Sequence, residues 1–405
     1  MSDALIKFAL LGLLAGLSQK TVDASEDTKR LVVFGESLLR LETVSDGQVE
    51  DDGVGLTLLV RPAVELRPLE NLTAIIEGEF IFALQDDYDD GRGVKPNRPL
   101  IADPEGAELN RLQIQYKPSP HTFITLGRQK LSIDDERFIG SASFRQNDQT
   151  FDGVHFASEI LSSATLQIGY FNRVNRILGE ENPQGVFEGD SFYANLNLPV
   201  AGARLGVFHY AFDLSTGEDA LTSNAASSAT TGLRLEGRMH RDPYGVDWEA
   251  AIARQTEYGD NPATFDLDYY VISASGFAGP ATLSVRYEVF EGNDEQAFQT
   301  PLGTQHAFQG AADIFTTTPA SGLRDLEIKT AWNFGRVAPF RNVSAFAAFH
   351  DFVAETDRAE LGQEFNAQIR GTFGRSAITF KAAHYSAEAF AADTTRFFLS
   401  YSKRF

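Results

Sequence analysis

The 405-residue chain contains no cysteine, only two methionines and only two tryptophans. Without thiols it can form no disulfide and can offer no thiolate for catalysis or metal binding. It also lacks a long hydrophobic run, and its mean hydropathy is −0.20. These properties exclude a helical membrane protein, but not a membrane β-barrel, because the strands of such a barrel are only half apolar.

Basic residues are in deficit. The chain has 35 Lys and Arg against 56 Asp and Glu, which gives a net charge of −21. Nucleic acid is therefore excluded as a partner, since phosphate binding needs a basic face. There is also no Pro/Ser-rich linker, no low-complexity tract and no change of pattern that would mark a domain boundary. We predict a single domain over residues 25–405.

The N-terminal residues 1–24 have the pattern of an export signal. Lys7 precedes an apolar run over residues 8–17 that is too short to cross a bilayer, and the small residue Ala24 ends a candidate cleavage site. The alternative is a short amphipathic helix. We predict a signal peptide, which implies export from the cytoplasm.

Hydrophobic residues alternate with polar ones along almost the whole chain after residue 30. Near the C-terminus, Phe397, Leu399 and Tyr401 fall on one face, while Arg396 and Ser400 fall on the other. This period of two predicts β-strands rather than helices. We predict about eighteen strands, near residues 31–44, 54–67, 71–85, 107–117, 121–130, 150–158, 163–176, 189–199, 202–214, 228–240, 244–257, 264–276, 280–291, 323–334, 341–354, 361–373, 376–388 and 394–405.

The connections between these strands alternate in length. Even-numbered strands are followed by tight turns, such as 118–120 and 374–375, and odd-numbered strands by longer loops, such as 86–106 and 292–322. A soluble sandwich also alternates in hydropathy, but this order of turns, with Arg and acidic residues on the polar face, is typical of outer-membrane barrels. The predicted fold is all-β: a transmembrane antiparallel β-barrel in the bacterial outer membrane, with short periplasmic turns and long extracellular loops.

One connection differs from the others in composition. The segment between Gln129 and Thr150 joins two strands through a long stretch in which charged and aromatic residues are interleaved. Loops of this length are usually functional or disordered, and apolar anchors favour a folded one. We predict that this loop folds into the barrel and narrows it, anchored by Phe138 and Phe144, and that it presents Arg128, Arg137 and Arg145 to the solute. We expect Asp134, Asp135 and Asp148 to pair with these arginines and so to organise the loop.

Three stretches resemble the alginate export porin family. They are the run GRQKLSIDDERFIGSASFRQNDQTFDGV over residues 127–154, the segment 298–310 and the opening strand 34–42. The resemblance implies an eighteen-stranded outer-membrane barrel with an arginine-lined lumen that passes an anionic polysaccharide.

Strand positions that alternate with apolar ones face the lumen of a barrel. Lys329 and Lys381 fall on such positions, as do six arginines: Arg40, Arg61, Arg111, Arg234, Arg286 and Arg370. These side chains either bind carboxylates of the solute or pair with acidic residues on neighbouring strands as a structural ladder. By the same alternation Arg128 points outward, so it lies above the bilayer or after a bulge.

The predicted function is passive passage of an alginate-like polyuronate. The alternative is a general or small-anion porin of the same architecture, and a barrel enzyme or adhesin is a third reading. The seven histidines are scattered without a catalytic or metal-binding motif, so we predict no enzyme, cofactor or metal, and we interpret the acidic run 86–90 as a solvated loop. Predicted partners are outer-membrane lipid and lipopolysaccharide, periplasmic export or uptake proteins, and the barrel assembly machinery through the terminal Phe405.

Overall fold

The computed structural model describes residues 30–160, 163–216 and 224–405; the predicted signal peptide lies outside the described residues. These residues form eighteen β-strands, numbered in chain order. Their bounds are β1 Leu31–Asp46, β2 Gly53–Leu69, β3 Leu72–Asp87, β4 Gly106–Ser119, β5 Thr122–Gln129, β6 Thr150–Ile160, β7 Ala164–Asn175, β8 Val186–Val200, β9 Ala203–Phe212, β10 Ser228–Arg241, β11 Tyr244–Glu257, β12 Asp266–Ala278, β13 Ala281–Phe290, β14 Leu323–Val337, β15 Phe340–Val353, β16 Glu360–Phe373, β17 Ser376–Ala387 and β18 Thr394–Arg404.

The sheet closes on itself. Every strand pairs antiparallel with the next one along the chain, and β1 pairs with β18 in a register that sets Arg40 opposite Ser400. Closure leaves no free sheet edge, which is the condition for strands to cross a bilayer. The predicted eighteen-stranded antiparallel barrel is confirmed, and this architecture is that of bacterial outer-membrane proteins. The protein is located in the outer membrane.

Side chains alternate between the lipid-facing wall and the lumen. On β18, Phe397, Leu399 and Tyr401 are exposed on the outside, whereas Arg396 and Phe398 point inward and are buried. Apolar residues can stay exposed on the outer wall because the hydrocarbon of the membrane covers them. The burial of these two inward residues shows that other parts of the protein pack against them inside the barrel.

Short and long connections lie at opposite ends of the barrel. The turns after even-numbered strands span only a few residues, as between Leu69 and Leu72. The connections after odd-numbered strands include the long segments 88–105, 130–149 and 291–322. Because short turns are periplasmic in this architecture, we call the end that carries them the periplasmic rim. Within the described residues, no helix is long and apolar enough to cross a membrane.

Candidate functional site: two loops that narrow the barrel

The connection between β5 and β6, residues 130–149, folds into the barrel and is called the inner loop. Ile133, Phe138 and Ile139 are buried, and so is most of the segment from Arg145 to Gln149. A loop placed inside a barrel has to satisfy its backbone polar groups there. It does so partly within itself, since Ile133 N donates to Ile139 O over 3.1 Å and Gln149 N donates to Ser141 O over 2.8 Å.

Phe138 anchors the inner loop to one side of the lumen. Its ring lies 5.1 Å from that of Phe208, 5.6 Å from that of Tyr269 and 6.2 Å from that of Phe298, measured between centroids. Tilted and edge-on aromatic contacts at these distances are attractive beyond the area that they bury. Aromatic side chains of β9 and β12 therefore pack against Phe138 and hold the loop.

The connection between β13 and β14, residues 291–322, also turns inward and is called the late loop. Gly140 N donates to Leu302 O over 2.9 Å, and Thr304 N donates to Glu136 O over 2.9 Å. The two loops approach so closely that a Cβ on Gly303 would lie 2.3 Å from the carbonyl oxygen of Arg137. They form one hydrogen-bonded body, which we call the two-loop constriction.

Arg137 and Arg145 tie the constriction to the barrel wall. Arg137 donates from Nε to Glu288 on β13 over 2.9 Å, and Arg145 donates to Glu42 on β1 over 3.1 Å and to Asp313 of the late loop over 2.5 Å. Arg137 is 1% exposed and Arg145 is 6% exposed. The prediction that these two side chains project into the solute path is wrong, because both are buried and form ion pairs that hold the inner loop to the wall and to the late loop.

The acidic residues of the inner loop contact the wall as well. Asp134 accepts from Asn195 over 2.6 Å, Asp135 from Arg234 over 2.7 Å and Asp148 from Asn110 over 3.1 Å. We expected these three carboxylates to pair with Arg128, Arg137 and Arg145, and that expectation is wrong. Pairs within the loop would not attach it to the barrel, whereas the contacts with β4, β8 and β10 fix it to the wall.

Five of the predicted lumenal arginines form a ladder of ion pairs. Arg40 contacts Asp103 at 3.0 Å, Arg111 contacts Glu77 at 2.5 Å and Arg286 contacts Glu288 at 3.1 Å. Arg61 and Arg234 are paired in the same way with Glu79, Asp148, Asp135 and Glu249. Every one of these guanidinium groups has a carboxylate neighbour, so the structural-ladder alternative describes them.

Arg128 lies on the outer face of β5. It donates from Nε to Asp152 over 2.8 Å and from one terminal nitrogen to Leu109 O over 3.0 Å. Leu126 and Val154, on the same face, are exposed. Arg128 is thus no part of the lumenal constriction: it braces the wall where β5 leaves the sheet to become the inner loop.

Two cations beside the constriction have no carboxylate partner among the described residues. Lys381 on β17 donates to His306 Nε2 over 2.9 Å and lies 4.3 Å from the centroid of the Phe144 ring. Arg370 on β16 is exposed and has no side-chain partner in the described chain. Sequence alternation placed both in the lumen, but which lumenal cations are left without a carboxylate depends on contacts between distant segments.

His306 and Phe144 both contact the ammonium group of Lys381. Their rings stack at 3.5 Å with an interplanar angle of 12°, and His306 Nδ1 lies 2.6 Å from Asp313 Oδ1. Burial lowers the pKa of His306 to about 3, with the cations Lys381 and Arg145 acting in the same direction against Asp313. The ring is therefore neutral, donates from Nδ1 to Asp313 and accepts from Lys381 at Nε2.

Sequence reasoning missed His306 as a site residue, because no catalytic or metal-binding motif includes it. No group of three or more His, Asp or Glu side chains within the described ranges is arranged to hold a metal ion.

The barrel is similar to solved outer-membrane protein structures. They include Acinetobacter baumannii OccAB1, with 12% identity, a TM-score of 0.70 and coverage of 95% of this chain and 98% of that one. Pseudomonas aeruginosa OccK9 (OpdG) has 13% identity, a TM-score of 0.69 and coverage of 93% and 98%. Pseudomonas aeruginosa OpdK, solved with vanillate, has 13% identity, a TM-score of 0.64 and coverage of 92% and 98%. At such identities the likeness shows the fold.

No family model matches the sequence, and no curated protein matches it either. The resemblance to the alginate export porins is wrong, since the similar structures are Occ and Opd outer-membrane proteins. The residues that suggested it have a different explanation. Several of them, such as Arg137 and Asp148, hold the inner loop against the barrel wall, and such contacts are needed whatever solute passes.

Proposed function

We propose that the protein is an outer-membrane diffusion channel for small anionic solutes. The observation that carries this proposal is that carboxylates of the lumen are paired with arginines, while two lumenal cations form no ion pair. Carboxylates near the constriction, such as Glu42, Glu249 and Glu288, are neutralised by arginines, whereas Lys381 and Arg370 form no ion pair within the described residues. Asp134 and Glu364 form no ion pair among the described residues either, but Asp134 is hydrogen-bonded to Asn195 and Asn197 and Glu364 is buried. The charge open to a passing solute beside the constriction is therefore that of Lys381 and Arg370.

The unpaired cations follow one another along the lumen wall. Lys381 is in register with Gln368 of β16, and Arg370 is two positions further along that strand toward the periplasmic rim. Diagonal neighbours of this kind lie roughly 7–8 Å apart. A carboxylate that leaves the ammonium group of Lys381 can therefore reach the guanidinium group of Arg370 without crossing a stretch of wall that lacks positive charge.

The constriction favours small solutes over a polymer. Its two loops are fastened to each other and to β1, β8, β10 and β13 by buried contacts. Moving them aside would break several buried ion pairs, each of which is costly to separate. Support of another kind comes from OpdK, a barrel of similar fold that was solved with vanillate, a small carboxylate.

Uptake by proteoliposomes tests the proposal. Purified protein in liposomes is exposed to a small carboxylate and to an uncharged solute of similar size, and swelling rates are compared. The proposal predicts faster entry of the carboxylate. The double variant Lys381→Gln, Arg370→Gln should lose that preference, and Arg254→Gln, on the outer wall, should keep it. Equal rates in the unmodified protein would contradict the proposal.

A further inference from the structure

The periplasmic ends of β14–β18 are free of acidic residues. No Asp or Glu occurs over residues 328–350, 365–387 or 394–405. The turns and strand ends in this sector also carry five basic residues: Arg336, Arg341, Arg375, Lys403 and Arg404. In a chain with a net charge of −21, this is a concentrated patch of positive charge, which we call the basic rim.

The arginines of the basic rim are open to solvent and unneutralised. Arg336, Arg341 and Arg375 are exposed, and in the part of the chain that the structure describes none of their side chains has an ion-pair partner. The β10–β11 turn differs, because there Arg238 pairs with Asp247 at 3.0 Å. Positive charge at the basic rim is thus available to an outside partner.

Aromatic side chains lie directly beside this charge on the outer wall. Trp332 and Phe334 are 47% and 50% exposed. Phe373 bridges Phe340 and Tyr401, with ring centroids 5.6 Å and 6.2 Å away. Aromatic residues at the end of a membrane barrel mark the boundary between hydrocarbon and headgroups. The arginines of the turns are therefore at headgroup level.

We propose that the basic rim binds the headgroups of anionic phospholipids in the periplasmic leaflet. The guanidinium groups of Arg336 and Arg375 would donate paired hydrogen bonds to a lipid phosphate, while the acyl chains lie along Trp332 and Phe334. A lipid fits better than an acidic protein because the charge continues into an aromatic belt that faces the membrane. Lipopolysaccharide occupies the opposite leaflet and cannot reach these turns.

The test uses the whole protein in detergent micelles, with phosphatidylglycerol or phosphatidylcholine added. Phosphatidylglycerol should raise the midpoint of thermal unfolding more than phosphatidylcholine does. In Arg336→Gln, Arg375→Gln this difference should fall to less than half. The matched control Arg238→Gln, Arg241→Gln removes the same number of charges from the β10–β11 turn and should retain it. If the two double variants showed the same difference between phosphatidylglycerol and phosphatidylcholine, the proposal would be overturned.

A charge-conserving variant covers the case in which the Gln variant folds poorly. Arg336→Lys, Arg375→Lys should keep most of the response to phosphatidylglycerol, since headgroup attraction depends mainly on charge. The response should also shrink as KCl is added, because salt screens exposed charges. A response that salt leaves unchanged, or one that phosphatidylcholine produces equally, would show that only the aromatic belt is recognised and would refute headgroup binding.

Discussion

Arg137 of the inner loop and Glu288 of β13 form an ion pair in which both side chains are 1% exposed and Nε lies 2.9 Å from Oε1. The guanidinium group also lies 4.6 Å from the ring centroids of Phe290 and Phe308. One contact therefore joins the inner loop, the late loop and the wall. The lumenal charges that look like a solute path in the sequence hold the two-loop constriction in place.

Removing Arg137 should loosen the constriction. Arg137→Ala leaves Glu288 buried with Arg286 as its remaining cationic partner, and we expect a loss of about 3 kcal/mol, the lower end for a broken buried pair. Unfolding in urea measures the loss, and single-channel recordings should show added current noise. As a control, Arg254→Ala removes an exposed outer pair and should change neither. An unaltered midpoint in Arg137→Ala would show that the pair does not hold the loop.

Phe138 should be the main apolar anchor of the inner loop. It is 6% exposed within an aromatic cluster, and truncating a buried Phe to Ala costs about 3–5 kcal/mol. Heat-modifiability on gels gives the midpoint of unfolding. Phe349, on the lipid-facing wall and 37% exposed, is a matched control whose truncation should have a smaller effect. Equal effects would mean that the inner loop does not depend on Phe138.

Deleting residues 133–147 should raise single-channel conductance, because this segment lies within the lumen and is buried against its wall. Closing the remaining chain with a short linker keeps β5 and β6 paired. Circular dichroism and heat-modifiability check that the barrel still forms. If the shortened protein forms a barrel of unchanged conductance, the inner loop does not narrow the pore.

Acid should weaken the docking of the late loop. Burial lowers the pKa of His306 to about 3, below the value of about 6.5 of an unfolded His. Between these pKa values the unfolded chain binds a proton that the folded state does not bind. The free energy of unfolding therefore falls as the pH drops, by up to about 1.4 kcal/mol per pH unit. Unfolding midpoints between pH 7 and pH 4 should therefore fall less in His306→Gln than in the unmodified protein. Identical pH profiles would contradict the assigned environment of His306.

The sequence predicted the strands well because lipid on one side and protein or water on the other impose a strict period of two. The same period turns Arg128 outward, but the prediction that Arg128 faces the solute was wrong, because its side chain braces the outer wall through Asp152. The partners of the lumenal charges could not be predicted in this way. Arg137 and Glu288 are 151 residues apart, and the contact of Lys381 with His306 depends on how the late loop folds. The resemblance to a polymer exporter is wrong because residues that carry it, such as Arg137 and Asp148, fasten a loop and do not indicate the solute.

The reversal potential of the open channel in a KCl gradient tests the central claim most directly. If the lumen offers positive charge through Lys381 and Arg370, the potential should have the sign of chloride preference, although the protein as a whole is acidic. The double variant Lys381→Gln, Arg370→Gln should move it toward zero. A potential with the sign of potassium preference in the unmodified protein would contradict the account of a channel for small anions.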